Sequence, residues 1–113
     1  MTDLTFLQYQ ARASTTAIYP GRRSVMGLVY AALGLGEAGE LQNKVKKVLR
    51  DSGGVVTPEK REAIAQELGD LLWYVSAVCD ELDVSMEQVA RDNLFKLADR
   101  MGRGVIKGDG DKR

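Results

Sequence analysis

Histidine is absent from this chain. Its absence removes Ser-His-Asp and Cys-His catalysis, zinc sites of the Cys/His type and the Glu-x-x-His di-iron bundle site. Cysteine occurs once, as Cys79, so no intramolecular disulfide can form. That residue sits in the apolar run from Trp73 to Cys79, where a small buried hydrophobe is its expected role and no histidine exists to activate a thiolate. The N-terminus lacks a basic segment followed by an apolar run, and a reducing cytoplasm is the expected compartment. No apolar run approaches membrane-spanning length. An excess of one charge is lacking too: 16 basic residues balance 16 acidic ones, for a formal net charge of zero. Nothing global therefore selects a nucleic acid or a membrane surface as partner, and any anion must be bound by local placement of Lys and Arg.

Proline occurs only as Pro20 and Pro58, and both mark boundaries. The chain of 113 residues fits one domain with a modest core. Leu4, Leu7, Ala11 and Ile18 predict a first helix from Leu4 to about Ile18, closed by the turn Tyr19-Pro20-Gly21-Arg22-Arg23. Ser24 can cap a second helix, from about Val25 to Arg50, with Leu33, Ala38, Leu41, Val45, Val48 and Leu49 as its stripe. Gly34, Gly36 and Gly39 interrupt it. Each glycine costs on the order of 1 kcal/mol in a helix interior, so three point to tight packing, close approach of another group, or a local break. After Asp51-Ser52-Gly53-Gly54, Thr57 and Pro58 start a third helix with the stripe Ile64, Leu68, Leu71, Leu72, Val75, Val78 and Leu82. Ser85-x-x-Gln88 fits a capping box for a fourth helix, from about Met86 to Met101. The glycine-rich tail, about 102–113, is expected to be irregular and flexible. The architecture predicted is all-α, a bundle of about four helices.

On these helices lie two carboxylate pairs, Glu37-x-x-Glu40 and Glu67-x-x-Asp70. At this spacing both members of a pair project from the same side of a helix, one turn apart. Leu33 and Leu41 flank the first pair, Leu71 and Tyr74 the second. Carboxylates beside a core are costly without compensation. If the two helices face each other, four carboxylates converge, and a hard divalent cation with oxygen ligands is the simplest compensation. With no histidine available, that cation is expected to be Mg²⁺ or Mn²⁺. The competing explanation is ion pairing on a solvated face, such as Glu40 with Lys44.

Lys44 and Lys47 continue the strip of Glu37 and Glu40. On the fourth helix Asn93, Lys96 and Arg100 share a face, an amide and two cations that can hold phosphate oxygens or form a solvated basic face. Trp73 and Tyr74 adjoin the second acidic pair and serve either the core or stacking on a base.

Taken in order, E-x-x-E, a spacer of 26 residues and E-x-x-D resemble the acidic motif of the MazG-like nucleoside triphosphate pyrophosphohydrolases. These belong to the all-α NTP pyrophosphatase superfamily, with the all-α dUTPases and phosphoribosyl-ATP pyrophosphohydrolase as relatives. Ala32–Glu40, Glu67–Tyr74 and Asp92–Leu97 are similar to family segments, and Gly108–Arg113 resembles the tail of short phage-type and bacterial members. The resemblance implies cleavage of an NTP or dNTP between the α and β phosphates, giving NMP and pyrophosphate, in nucleotide-pool housekeeping. It implies Mg²⁺ held by Glu37, Glu40, Glu67 and Asp70, with Glu37 or Glu40 as the group that orients or deprotonates water. Lys44, Lys47, Asn93, Lys96 and Arg100 become candidates for triphosphate contacts, and Trp73 for the base. A homo-oligomer, dimer or tetramer, is implied as well. A helical interaction module without catalysis, or a nucleotide-binding regulator, is the alternative.

Overall fold

The computed structural model describes residues 3–113, and among them every regular element is helical. The α-helices are α1 (Phe6–Ser14), α2 (Val25–Gly34), α3 (Ala38–Ser52), α4 (Pro58–Glu81) and α5 (Met86–Arg103). A 3₁₀ turn, Leu35–Glu37, joins α2 to α3. The continuous helix expected from Val25 to Arg50 is thus two helices with a break at the glycines. Taken as one broken element, they leave the four-helix plan intact.

Local chemistry accounts for most boundaries. Thr5 and Gln8 form a reciprocal capping box at the start of α1. The helix stops at Ser14, short of the expected Ile18. The hydroxyls of Ser14, Thr15 and Thr16 donate back to the carbonyls of Ala11, Arg12 and Ala13, and these tight local bonds compete with further helix. Ser24 precedes α2 without capping it by its side chain, because its hydroxyl donates to the Gly21 carbonyl instead. Thr57 accepts from the Lys60 N–H at 3.2 Å, with Pro58 at the first helical position. Ser85 accepts from the Gln88 N–H, while the Gln88 side chain turns forward to Asp92, so half of the expected box forms. The last helix runs on to Arg103 and ends at Gly104, whose φ of +74° suits glycine.

The longest helix, α4, is the hub, touching α1, α2, the 3₁₀ turn, α3 and α5. The connection from Gly53 to Thr57 is short, so α3 returns against α4 as an antiparallel neighbour. At the other end Glu81 ties the turn before α2 to α4, taking the Tyr19 hydroxyl on one oxygen and the Arg23 N–H (2.8 Å) on the other. Gly27 allows this approach, since a side chain there would run into Glu81 and the Gly21 carbonyl.

The core is small: Ala17, Tyr19, Ala31 and Ala77, with Trp73 and Val78 packed on it. Much of the apolar stripe expected to be buried is exposed instead. Leu33 and Leu49 are 75% exposed, and Leu68 and Leu82 are also open. Four helices around one hub cover only the inward side of each. No helix among the described residues is long and apolar enough to cross a membrane.

Candidate metal and nucleotide site

The joint between α2 and α3 brings Glu37 to α4. Gly34, one turn earlier, lies so close to Tyr74 that a Cβ there would overlap the tyrosine ring. This is the close approach that one of the three glycines requires. Gly36 and Gly39 face open space, and their weak helix propensity suits the 3₁₀ break beside them.

Glu37 from the 3₁₀ turn and Glu67 and Asp70 from α4 each offer an oxygen within 4.8 Å of the others. Glu37 and Glu67 are half-buried and Asp70 is exposed. Glu67 Oε1 lies 3.8 Å from Lys44 Nζ, while Oε2 is buried with no hydrogen-bond partner. Three gathered carboxylates with one orphaned oxygen are short of positive charge, and a hard cation fits that donor set. Glu40 stands apart from this group, exposed in the first turn of α3. The i, i+3 expectation assumed one regular helix, whereas Glu37 ends the 3₁₀ turn and Glu40 begins a new helix. Its pairing partner is not Lys44, which turns to Glu67 instead.

A hollow of about 280 Å³ opens beside the acids, lined by Glu37, Asp70, Trp73 and Tyr74. Behind it lies a second hollow of about 340 Å³, where Trp73 and Tyr74 are joined by Tyr19 and Tyr30. Tyr19 stacks on Tyr30 with centroids 4.8 Å apart, and Trp73 meets Tyr19 and Tyr74 edge-on at 6.2 and 5.1 Å. Trp73 Nε1 donates to Thr16 Oγ1 at 2.8 Å, which fixes the indole plane. Burial raises the Tyr74 pKa, and Tyr30, Glu37 and Asp70 push it further up, so its phenol stays protonated beside the acids. Burial and the Glu81 carboxylate raise Tyr19 to about 12.

Lys44 and Lys47 line a third hollow of about 160 Å³ together with Lys60 and Ala63. Asn93 and Lys96 lie elsewhere, in a groove of α5 with Val89 and Asp92. Lys96 and Arg100 do share a face, but Asp111 of the tail occupies it, at 3.0 Å from Lys96 and 3.3 Å from the buried Arg100 guanidinium. Within one chain, then, Glu37, Glu67, Asp70, Lys44, Lys47 and Trp73 lie along one path, and Asn93, Lys96 and Arg100 line none of its three hollows. Sequence reasoning passed over Tyr19, Tyr30 and Lys60. Lys60 stands two turns before Glu67, a spacing that was open to inspection, but nothing local marks Tyr19 or Tyr30.

An all-helical hub carrying an acidic trio beside aromatic walls accords with a nucleotide-processing enzyme, and the family is shown directly. Residues 28–104 match the model of the MazG nucleotide pyrophosphohydrolase domain, and the chain belongs to that family. It is 53% identical over 109 residues to the Gene 37 protein of Mycobacterium phage L5, covering 93% of this chain and 96% of that protein. No solved structure matches it.

Proposed function

We propose that this protein is a Mg²⁺-dependent nucleoside triphosphate pyrophosphohydrolase. Water attacks the α-phosphorus of an NTP or dNTP, the bond from Pα to the α–β bridging oxygen breaks, and NMP and pyrophosphate leave. The observation that carries this reading is the trio Glu37, Glu67 and Asp70, gathered within 4.8 Å beside an aromatic-walled hollow. The buried, unpartnered Oε2 of Glu67 supports a cation at this place, and these three residues would hold it. Bound there, Mg²⁺ offsets polyphosphate charge and polarises phosphorus, and Mn²⁺ suits the same oxygens.

Glu40, exposed and outside the trio, is left as the carboxylate that takes a proton from the attacking water. Trp73 and Tyr74 wall the space beside the acids and offer faces for a base. Lys44 and Lys47 offset phosphate charge. Asn93, Lys96 and Arg100 have a lesser share, since Asp111 already engages the two cations.

The active form is a homo-oligomer, dimer or tetramer. A compact chain of this length has a radius of gyration of about 13 Å. Here it is 17.0 Å, and leucines on α2, α3, α4 and α5 stand exposed, surface that further copies would cover. Nucleotide-pool housekeeping in the cytoplasm is the corresponding role.

Pyrophosphate release from the eight common NTPs and dNTPs, with Mg²⁺ and with EDTA, tests the reading. Release that EDTA abolishes is expected. A nucleotide-binding regulator would bind without release, and a helical interaction module would also show no rise in melting temperature with Mg²⁺.

A further inference from the structure

The hollow behind the acids has one wall that is not helical. Thr16, Ile18, Tyr19 and Pro20 come from the connection between α1 and α2, and the rest of the lining is Tyr30, Trp73 and Tyr74. Connections of this kind are more mobile than the helices they join. This one is tied from behind by the far end of α4. Glu81 accepts the Tyr19 hydroxyl on Oε1 and the Arg23 N–H, at 2.8 Å, on Oε2. Next to it, Asp80 lies 3.9 Å from the Arg22 guanidinium, which also donates to the Ser14 and Ala17 carbonyls at 3.0 and 3.1 Å.

Both Glu81 oxygens are engaged, and Glu81 lines none of the three hollows around the acids. It stands eleven residues beyond Asp70 on the same helix, roughly 16 Å at 1.5 Å per residue. That is too far to touch a phosphate held by the acids. Its influence runs through Tyr19. The Tyr19 ring stacks on Tyr30 with planes 8° apart and meets the Trp73 indole edge-on. Thr16, three residues earlier in the same connection, accepts from the Trp73 indole. One stretch of backbone therefore sets the plane of Trp73 through two contacts, and Glu81 sets the place of that backbone. The lining carries no charged side chain, which suits a flat, uncharged heteroaromatic ring.

We propose that Glu81 is a positioning residue: by holding Tyr19 it keeps Tyr19, Tyr30 and Trp73 in the geometry that stacks on the nucleotide base. This rests on the hydrolase reading and adds to it a group outside the site that governs how tightly the base is held. Phosphate chemistry stays with the acids. A defect at Glu81 then enters KM rather than kcat.

Trp73 is the sole tryptophan, so its fluorescence reports this wall alone. The whole protein is titrated with AMP, GMP, CMP, UMP and their deoxy counterparts, which carry a base but no anhydride to cleave. Pyrophosphate release with Mg²⁺ is then measured on the corresponding triphosphates. Quenching of Trp73 by at least one monophosphate is expected for wild type. Glu81→Ala and Tyr19→Phe should each weaken that monophosphate about tenfold, within the range for losing one base–aromatic stack. Both should raise KM by a similar factor and leave kcat within about twofold. Glu81→Gln should restore binding and KM, because its carbonyl still accepts the Arg23 N–H and its amide donates to the Tyr19 oxygen. If Glu81→Ala does not fold, Tyr19→Phe carries the test, since it keeps the ring. Wild-type Trp73 emission that responds to no monophosphate overturns the proposal, as do unchanged affinities in both variants. So does a fall in kcat at constant KM, or equal weakening by Glu81→Gln. Monophosphate binding that depends on Glu81 and Tyr19, with no pyrophosphate released from any triphosphate, would instead sink the hydrolase reading and leave the positioning role standing.

Discussion

Glu37, Glu67 and Asp70 on one side of α4 and Lys96 and Arg100 on α5 are both clusters of like charge, yet they are completed differently. The tail brings Asp111 onto the two cations, with the Arg100 guanidinium also bonded to the Asp111 carbonyl at 2.9 Å. The acids receive only Lys44, at 3.8 Å on one oxygen, and a neighbouring Glu67 oxygen is left buried and bare. A cluster neutralised within its own chain is accounted for by folding. One whose charge stays unmatched is a candidate for a ligand from outside. The contrast supports the proposal that the acidic trio, more than the α5 face, is where a ligand binds.

The sharpest way to break this comparison is to remove charge from each side. Glu67→Gln or Asp70→Asn is expected to lower pyrophosphate release by at least about 10²-fold, the scale for losing one stabilising group at a reacting phosphate. Neither should lower the melting temperature measured in EDTA, because a repelling charge has gone. Lys96→Met should reduce turnover far less. Equal losses on the two sides would show that both faces meet the substrate, as when a second copy brings α5 to the acids.

A second test acts on the backbone that builds the acidic side. Gly34→Ala must push the Tyr74 ring away and is expected to cost about 1–3 kcal/mol, the scale of overpacking. Gly36→Ala and Gly39→Ala meet nothing and should be far milder. Chemical denaturation of the three variants measures the difference.

Tyr19→Phe comes next. It removes the hydroxyl bonded to the Glu81 carboxylate, worth about 1.5–3 kcal/mol for a bond to a charged group. Because the folded Tyr19 pKa is raised to about 12, above the ordinary tyrosine value, its contribution is complete below about pH 10 and fades as pH rises through the folded value. Melting temperatures across that alkaline range should fall less steeply for Tyr19→Phe than for wild type.

The smallest effect is expected from Asp111→Asn. Lys96, then Arg100, hold this exposed carboxylate below its usual pKa by hydrogen bonding. Its stabilisation is present above the ordinary carboxylate pKa and is lost as pH falls through the depressed one. The substitution should slightly flatten the acid limb of the melting curve and leave neutral-pH stability almost unchanged.

The helical class was legible because caps and breakers act locally. Thr57-Pro58 opens α4, Ser85 opens α5, and Gly104 closes α5, all within a few residues of their effect. The acidic spacing was legible for the same reason, since helix geometry alone places Glu67 and Asp70 one turn apart. Glycine positions were ambiguous at this level. Gly34, Gly36 and Gly39 look alike in sequence, and only the presence of the Tyr74 ring distinguishes the first. Ser24 failed as a cap because the Gly21 carbonyl, fixed by a turn with positive φ at Gly21 and Arg23, competed for its hydroxyl.

The sequence by itself determined an all-helical chain, the two acidic pairs, and the exclusion of chemistry that needs histidine. Those properties depend on residue type and on spacing along one helix. Tertiary structure alone decided that Glu37 joins Glu67 and Asp70 while Glu40 stands apart. It also decided that Lys60 meets Lys44 and Lys47, and that Asp111 closes over Lys96 and Arg100. Each is a contact between separate elements, governed by where the chain breaks and how closely two helices can approach, which no periodicity within a single helix encodes.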